Sequence, residues 1–441
     1  MNSTKYFSIT KGTYAPINSL AAKSHLTSTA SLPQKFYQNN VLDKYINQDA
    51  KKVTLRQLVM FGRNLTKSKL IASANYVLSE LPVRLAHRIR DFQHLPYICG
   101  TNPYMGRVYQ MYWKSFDEFR KFPKVTTLEE NIKCCEMFTR NMKEHSQIIP
   151  LLGMGVSECV GLVDPELIDK FMNRMLMTRI SRRTLVEQHT LLSKNFCPNE
   201  DETNCPEPPT NIPGLRAQIV GKVDTQCNIG NLVHECAAKA QSIFEDYYEL
   251  VPGTAPQVIV DGHKDAQLMC VTDHIEYIVF ELLKNSMKAS IQNAIDNSGI
   301  NGFDQNDLDF LPINVTICQT KANVTVRISD KGGGIPPDVY KQIWNYCSPY
   351  KSKFLTNFHR IKEMQAKTNE NTGISPLVPL GFGLPMCSVF ANYWGGDINI
   401  YSLPGYGVDS YIRLPRLGNI AENPAIEDTE VLDEVAIHHH K

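Results

Sequence analysis

A carboxylate and an amide stand four positions apart in the second half of the chain, as Glu281 and Asn285, and Lys288 follows three positions later. On a helix this spacing brings all three residues to one face. A glutamate there can accept a proton, and carboxylate and amide oxygens can bind a hard metal ion. Such a pair is more often only a solvated face, so its chemistry depends on support from other segments.

A second segment places a carboxylate at the end of a β-run. The alternating residues from Val324 to Ser329 lead into Asp330, and three glycines follow from Gly332 to Gly334. Glycine allows a positive φ and lets a ligand approach the backbone. A buried aspartate at this place suits an exocyclic amino group such as that of adenine. An ordinary Asp–Gly turn is the alternative, and three consecutive glycines make it the weaker interpretation.

A third segment, Gly381-Phe382-Gly383-Leu384-Pro385, reads as a glycine loop that enters a helix at its proline. The free N–H groups and partial positive charge of a helix N-terminus form a phosphate site. Before this loop, Ser352–Pro379 is long, polar and weakly periodic. Such a span inside a compact domain is usually a lid, which we therefore predict here.

Two kinds of element must position these segments. From about Leu55 to about Asn195, apolar residues recur at helical spacing, as in the run from Leu162 to Leu185, which predicts four long helices in a bundle. The later part alternates β-branched runs with helix patterns and predicts a mixed α and β domain. The predicted strands are Val258–Val260, Asn314–Cys318, Asn323–Ile328, Ile398–Tyr401 and Ser410–Leu414.

Composition excludes several classes of protein. The 441 residues are 42% hydrophobic and 21% charged, which is typical of a globular protein large enough for two domains. Forty-six basic residues against 45 acidic ones give a net charge of +1, so we expect no nucleic-acid partner and only local phosphate binding. The apolar stretches are too short for a membrane span.

The cysteines and the first forty residues bear on the compartment. Twelve scattered cysteines without a C-x-x-C motif indicate reduced, mostly packed thiols. Residues 1–40 contain no Asp or Glu but several Lys, Ser and Thr, which is typical of a mitochondrial presequence; a disordered tail is the alternative. The acidic, proline-rich stretch Pro198–Pro213 predicts a linker or surface loop between the domains.

The order E-L-x-K-N, D-x-G-G-G and G-x-G-L-P resembles the ATP-binding domain shared by gyrase, the heat-shock chaperone of ninety kilodaltons, histidine kinases and MutL. It is most similar to the mitochondrial kinases of pyruvate dehydrogenase and branched-chain 2-oxoacid dehydrogenase. Three stretches of the helical half also resemble segments of those kinases. They are Glu80–Ala86 with Leu95-Pro96, the H-x-x-I-I-P run of His145–Pro150, and the R-I-S-x-R helix of Arg179–His189.

The resemblance implies a role for each matching residue. Glu281 would be the general base and Asn285 would hold Mg²⁺ on the phosphates of ATP. Lys288 would contact the nucleotide, and Asp330 would accept from the adenine amino group, with Gly332 and Gly334 giving the backbone clearance. The loop residues Gly381, Phe382, Gly383 and Leu384 would close around the phosphates.

The resemblance also implies an α+β fold in two domains. An N-terminal all-α four-helix bundle would cover residues 41–213, and an α/β-sandwich ATP-binding domain would cover residues 214–418. Residues 419–441 would form an acidic tail. The implied activity is that of a mitochondrial-matrix protein-serine kinase that phosphorylates and inactivates the E1 α subunit of pyruvate dehydrogenase. The implied partners are E1, the E2 lipoyl domain, and a second copy or a related kinase as a dimer.

Several departures keep alternatives open. Tyr277 stands four residues before Glu281, where many pyruvate dehydrogenase kinases have histidine, and it keeps the branched-chain complex as the second substrate. Pro349, Tyr350 and Pro379 replace common nucleotide-loop residues and motivate a non-catalytic, nucleotide-gated docking protein. A histidine kinase is a poorer option, because the sequence lacks an H-box followed by a dimerising hairpin. His145 is better interpreted as a structural or substrate-facing residue than as a phosphate relay.

Overall fold

The computed structural model describes residues 40–63, 65–196, 218–298, 310–346 and 381–423. The chain divides into two units, Met1–Leu42 and Asp43–Lys441, and the described residues of the first, 40–42, are helical. Most of the predicted presequence, the linker Pro198–Pro213 and the predicted lid Ser352–Pro379 lie outside the described residues, as do Pro349 and Tyr350. Residues 424–441 of the predicted acidic tail do so too.

The first part of the larger unit is helical, and four of its described helices exceed fifteen residues, as the apolar periodicity predicts. The helices are α1 (Leu55–Gly62), α2 (Lys67–His94), α3 (Tyr97–Thr101), α4 (Pro103–Lys121), α5 (Leu128–Glu144), α6 (Ile148–Cys159) and α7 (Pro165–Lys194). A short 3₁₀ turn, His145–Gln147, joins α5 to α6. None of the helices in the described ranges is both long and apolar enough to cross a bilayer.

Polar side chains determine where these helices begin. Thr127 accepts from the backbone N–H of Glu130 at the start of α5, and the Glu130 carboxylate accepts from the Thr127 N–H in return. At α7, Asp164 accepts from the Glu166 N–H and Pro165 occupies the first turn. The predicted apolar run from Leu162 was therefore wrong at its start, because the cap lies after it and Leu162 is left 58% exposed.

The second part is mixed α and β, which confirms the predicted fold class. Its elements are β1 (Ile219–Val220), β2 (Val223–Asn228), α8 (Ile229–Tyr248), β3 (Val258–Gly262), β4 (Gln267–Cys270), α9 (Thr272–Ser298), β5 (Ile313–Gln319), β6 (Asn323–Ser329), α10 (Pro337–Tyr340), α11 (Gly383–Tyr393), β7 (Asp397–Leu403) and β8 (Gly407–Pro415). All five predicted strands are present. The sequence did not indicate β1, β2 and β4.

The strands form two sheets. The larger has the order β3-β5-β6-β8-β7, with β3 parallel to β5 and the other neighbours antiparallel. In β6, alternate residues are buried, so one face of the sheet lies on a core that α8, α9 and α11 complete. The smaller sheet, β1-β2-β4, is antiparallel. This arrangement brings the end of β6, the middle of α9 and the start of α11 together.

Candidate active site

Helix α9 presents the first group of predicted residues on one face. Its core side is apolar, and it consists of Ile275, Ile278, Val279, Leu282 and Leu283, all buried. Glu281, Asn285 and Lys288 lie on the other side; the Glu281 side chain is 13% exposed, whereas Asn285 and Lys288 are exposed. The i, i+4 spacing therefore places the carboxylate at the edge of the core and the amide beside it in solvent.

The two oxygens of Glu281 have different neighbours. Lys284 Nζ donates to Oε1 over 2.6 Å. Oε2 lies against Gly383 at the first turn of α11, where a Cβ would come within 2.5 Å of it. Glycine is therefore required there by the carboxylate itself. The lysine holds one oxygen and leaves the other beside the loop, where it can accept a proton.

The surroundings of Glu281 are aromatic and apolar on the side of Tyr277. The Tyr277 ring packs on Phe390 of α11, with ring centroids 4.9 Å apart. Burial, with the charge of Glu281 as the next cause, raises the pKa of Tyr277 well above its ordinary value. The same two causes raise the pKa of the Cys387 thiol. Both groups therefore stay neutral next to the carboxylate, and neither competes with it as a base.

Asp330 lies directly after β6, is 4% exposed, and is held by three donors. Ser286 Oγ of α9 donates to Oδ2 over 2.7 Å, and the Gly332 and Val408 N–H groups donate to Oδ1 over 3.0 and 3.3 Å. Burial raises the pKa of Asp330, and these hydrogen bonds oppose that rise. Since a carboxylate has about four acceptor positions, one remains for a ligand's N–H.

The glycines after Asp330 serve the protein's own packing. A Cβ on Gly332 would lie 2.5 Å from the Ala289 Cβ, so this glycine lets the turn approach α9. Gly334 has a φ of 77°, and a Cβ there would lie 2.4 Å from the Leu403 carbonyl oxygen. This packing accounts for both glycines. Their expected role in making room for a nucleotide stays a prediction.

The third segment forms the loop and helix start that the proline indicates. Gly381 has a φ of 75°, Phe382 is the N-cap residue and α11 begins at Gly383. Among the described residues no side chain caps the first turn of α11, so the N–H groups and dipole of this helix end can bind an anion. Gly383 and Leu384 are half-buried at this end. The Phe382 side chain is buried, so a contact from it to a phosphate would come through its backbone.

The arrangement fits magnesium only together with a phosphate ligand. In the described ranges, no group of three or more His, Cys, Asp or Glu side chains could hold a metal ion. Asn285 offers one exposed oxygen on the face of Glu281. Magnesium commonly takes one or two protein oxygens and completes its shell with water and substrate phosphates. Asn285 fits that role.

Comparisons with known proteins cover both parts of the chain. Residues 52–215 match the family model of the mitochondrial branched-chain alpha-ketoacid dehydrogenase kinase. Residues 270–418 match that of the histidine kinase-, DNA gyrase B- and HSP90-like ATPases. Together these matches support the mitochondrial dehydrogenase kinase family.

Relatives in this family are similar along most of their length. The chain is 26% identical to the mitochondrial [pyruvate dehydrogenase (acetyl-transferring)] kinase 2 of Saccharomyces cerevisiae, over 87% of this chain and 86% of that protein. It is 28% identical to the mitochondrial enzyme of Arabidopsis thaliana, over 84% and 92%. With isozyme 3 of Homo sapiens the identity is 27%, over 91% and 90%. The match thus includes the helical part as well as the ATPase part.

The family motif in the helical part contains His145, and its surroundings confirm a structural role. The ring is 2% exposed and stacks on Tyr112. Arg182 donates to Nδ1, which leaves the proton on Nε2 to be donated to Ser115 Oγ over 2.8 Å. Burial, and then the charges of Arg182 and Arg179, lower the pKa of His145 to about 2. Because both ring nitrogens are hydrogen-bonded and the side chain is buried, this histidine is not placed to accept a phosphate.

Sequence reasoning missed the residues that hold the two carboxylates. Lys284 and Ser286 stand within the E-L-L-K-N-S run, and their spacing on α9 could have indicated contacts with Glu281 and with the following strand. Val408 had no such signal. It reaches Asp330 because β6 and β8 pair with Ser329 opposite Asp409, and only the sheet register determines that pairing.

Proposed function

We propose that the chain is an ATP- and Mg²⁺-dependent protein-serine kinase that phosphorylates and inactivates the E1 α subunit of pyruvate dehydrogenase. The observation that carries the proposal is the position of the Glu281 carboxylate, with one oxygen paired to Lys284 and the other at the N-terminus of α11. Similarity to the mitochondrial dehydrogenase kinases adds the reaction class. A base beside a helix N-terminus suits the transfer of a phosphoryl group to a hydroxyl.

Each residue of the candidate active site would have its own role in the phosphate transfer. Asp330 would bind the adenine amino group, and the N–H groups of the first turn of α11 would hold phosphate oxygens. Glu281 would take the proton of the substrate serine as its oxygen bonds to the γ-phosphorus and the bond to the β-phosphate oxygen breaks, releasing ADP. Magnesium held at Asn285 would, when bound, neutralise phosphate charge. Positioning and electrostatics supply most of such catalysis.

The substrate assignment follows the names of the relatives. The three relatives above are pyruvate dehydrogenase kinases, whereas the model matching residues 52–215 is named for the branched-chain enzyme. We therefore propose pyruvate dehydrogenase E1 α first and branched-chain E1 second. Transfer of labelled phosphate from ATP to purified E1 of each complex, side by side, tests the choice. Acid-stable label on the first alone supports the proposal, because phosphoserine survives acid and phosphohistidine does not.

The same assay tests the non-catalytic alternative. If ATP binds tightly but neither E1 is labelled, the chain is a nucleotide-gated docking protein and the kinase proposal is wrong. Label on branched-chain E1 alone would move the activity to that complex. The E2 lipoyl domain is a further proposed partner, to be tested by co-sedimentation of the chain with lipoylated and unlipoylated E2 domain.

We also propose a dimer, either of two copies or with a related kinase, formed through the large sheet. Across β6, β7 and β8, the described face opposite the core carries a depression of about 470 Å³. Tyr401 and Tyr411 pack edge to face on it, and Tyr401 is 60% exposed. Sedimentation of Tyr401→Lys should show monomer where the wild type is dimeric. Tyr247→Lys, on the exposed side of α8, is the control.

The proposed location is the mitochondrial matrix. The relatives named above are mitochondrial, and residues 1–40 have the composition expected of a presequence. Import into isolated mitochondria followed by protease treatment, with and without rupture of the inner membrane, tests this. We expect the imported chain to resist protease when only the outer membrane is ruptured and to be digested once the inner membrane is ruptured as well.

A further inference from the structure

Asp169, in the second turn of α7, binds the chain segment that follows α10. Its carboxylate accepts from the Asn345 side-chain N–H over 2.8 Å and from the Tyr346 backbone N–H over 2.7 Å. Two donors on one carboxylate fix both the position of residue 346 and the direction of its backbone. A helix of the helical part therefore determines where this segment of the ATPase part lies.

The Tyr346 side chain extends from this segment into the protein interior and contacts Phe382 there. The side chain is fully buried, its hydroxyl donates to Asn173 Oδ1 over 2.9 Å, and its ring meets Phe382 edge to face with centroids 5.3 Å apart. Burial, with Asp169 as the next cause, raises the pKa of Tyr346, so the hydroxyl remains a donor. The ring is thus held at both its backbone and its hydroxyl.

Phe382 connects this support to the candidate active site. It is the N-cap residue of α11, is 3% exposed, and directly precedes Gly383, whose Cα lies against Glu281. A shift of the Tyr346 ring would therefore move the first N–H groups of α11, which are the proposed phosphate donors. The contacts form a continuous path from α7 to that helix start.

We propose that Asp169 is a positioning residue for nucleotide binding: through Tyr346 and Phe382 it places the N-terminus of α11. The inference rests on the proposed function, since it assumes that α11 binds phosphate. Asp169 itself touches neither nucleotide nor serine. Its loss should weaken affinity for nucleotide while leaving the proton transfer at Glu281 nearly unchanged.

The test is titration of the full chain with ADP carrying a fluorescent N-methylanthraniloyl group. Asp169→Ala should raise the Kd about tenfold, the scale of one lost charge-assisted hydrogen bond. Glu166→Gln is the matched control on the same helix. The Glu166 side chain is 73% exposed and pairs with Lys170 at the surface. Wild-type affinity in Asp169→Ala, or an equal loss in the control, overturns the inference.

Two further variants keep the test decisive if Asp169→Ala does not fold. Tyr346→Leu deletes the ring on Phe382 but keeps the backbone N–H that Asp169 binds, and it should lose affinity as Asp169→Ala does. Tyr346→Phe removes only the hydroxyl, and its Kd should rise less than about threefold, as for one neutral hydrogen bond. Equal Kd values for Tyr346→Leu and Tyr346→Phe would contradict the proposed path.

Kinetics separate positioning from general loss of structure. In the phosphate-transfer assay, Asp169→Ala should raise KM for ATP with kcat within about threefold of wild type, whereas damaged folding lowers kcat with the active fraction. If the wild type binds the fluorescent ADP but labels no E1, the proposed function fails and the Kd values still decide the role of Asp169. If transfer occurs and Asp169→Ala behaves as wild type, only this inference fails.

Discussion

Glu422 and Arg84 form a fully buried ion pair between residues 338 positions apart. Arg84 of α2 donates to Oε1 over 2.7 Å and to Oε2 over 3.0 Å, and both side chains are 0% exposed. Tyr393, at the end of α11, donates to the same carboxylate. Burial disfavours the charge on Arg84, but Glu422 together with Tyr393 and Tyr76 outweighs burial and raises the pKa of the guanidinium. Glu422 thus links α2 of the helical part to the end of α11, the helix that begins at the candidate active site.

Replacing Glu422 by glutamine should destabilise the protein by about 3 to 5 kcal/mol, because a buried guanidinium loses its charged partner. We expect a loss of about 3 kcal/mol, because the Glu80 carboxylate, 3.9 Å from Arg84, still partly compensates the charge of the guanidinium. Urea unfolding should show a lower midpoint at unchanged slope. Glu118→Gln removes a more exposed partner of Arg140 and should cost under about 1 kcal/mol. Equal decreases in the free energy of unfolding of Glu422→Gln and Glu118→Gln would contradict a stabilising role of the buried pair.

Gly383→Ala should lower kcat by at least about tenfold, since misplacing a catalytic group by about 1 Å can cost more than that. The new Cβ would come within 2.5 Å of Glu281 Oε2, so the carboxylate must move. Steady-state phosphate transfer measures the effect. Gly106→Ala in α4 is the control, because nothing lies within 4 Å of its Cβ, and it should stabilise the helix by about 0.5 to 1 kcal/mol. A fully active Gly383→Ala would show that Oε2 does not face α11.

Stability should fall as the pH drops below about 6.5, because buried histidines stay neutral in the folded state and gain protons on unfolding. Burial lowers the pKa of His145 to about 2, of His274 to about 3 and of His189 to about 4. For each histidine the pKa is lower in the folded state than in the unfolded state. Its contribution to the free energy of unfolding is therefore complete above the unfolded-state pKa and is lost as the pH falls toward the folded-state pKa.

Denaturant unfolding between pH 5 and 7 measures this dependence. Each histidine contributes a slope of up to about 1.4 kcal/mol per pH unit. His145→Gln should remove one such contribution from the slope, whatever it does to stability at pH 7. His234→Gln, on the exposed side of α8, is the control for the substitution itself. An unchanged slope in His145→Gln would mean that burial does not lower the pKa of this ring.

The sequence was sufficient to predict those features of the fold and the site that depend on a local residue pattern. The alternation in β5 and β6 predicted both strands, and the proline after Gly383 and Leu384 predicted a helix start. The spacing of Glu281 and Asn285 predicted their shared face on α9. These features depend only on neighbours a few positions away, so the period and residue type determine them.

Contacts between distant segments had no such signal. The strand β2 (Val223–Asn228) contains mostly polar residues and forms because it pairs with β4. The pairing of Arg84 with Glu422 depends on the segment after β8 returning to the helical part. There the Glu422 N–H also donates to the Val53 carbonyl, just before α1. The apolar spacing alone extends α7 back to Leu162, whereas the helix begins at Pro165 because Asp164 caps it there.

The most direct test of the central claim is single-turnover phosphate transfer by Glu281→Gln. Loss of a general base should slow transfer to pyruvate dehydrogenase E1 by about 10² to 10⁴ while the Kd for ATP stays close to wild type. Glu276→Gln, on the same helix and paired with Lys239 at the surface, should transfer normally. Near-normal transfer by Glu281→Gln, or loss of ATP binding together with transfer, would contradict the role of Glu281 as the base.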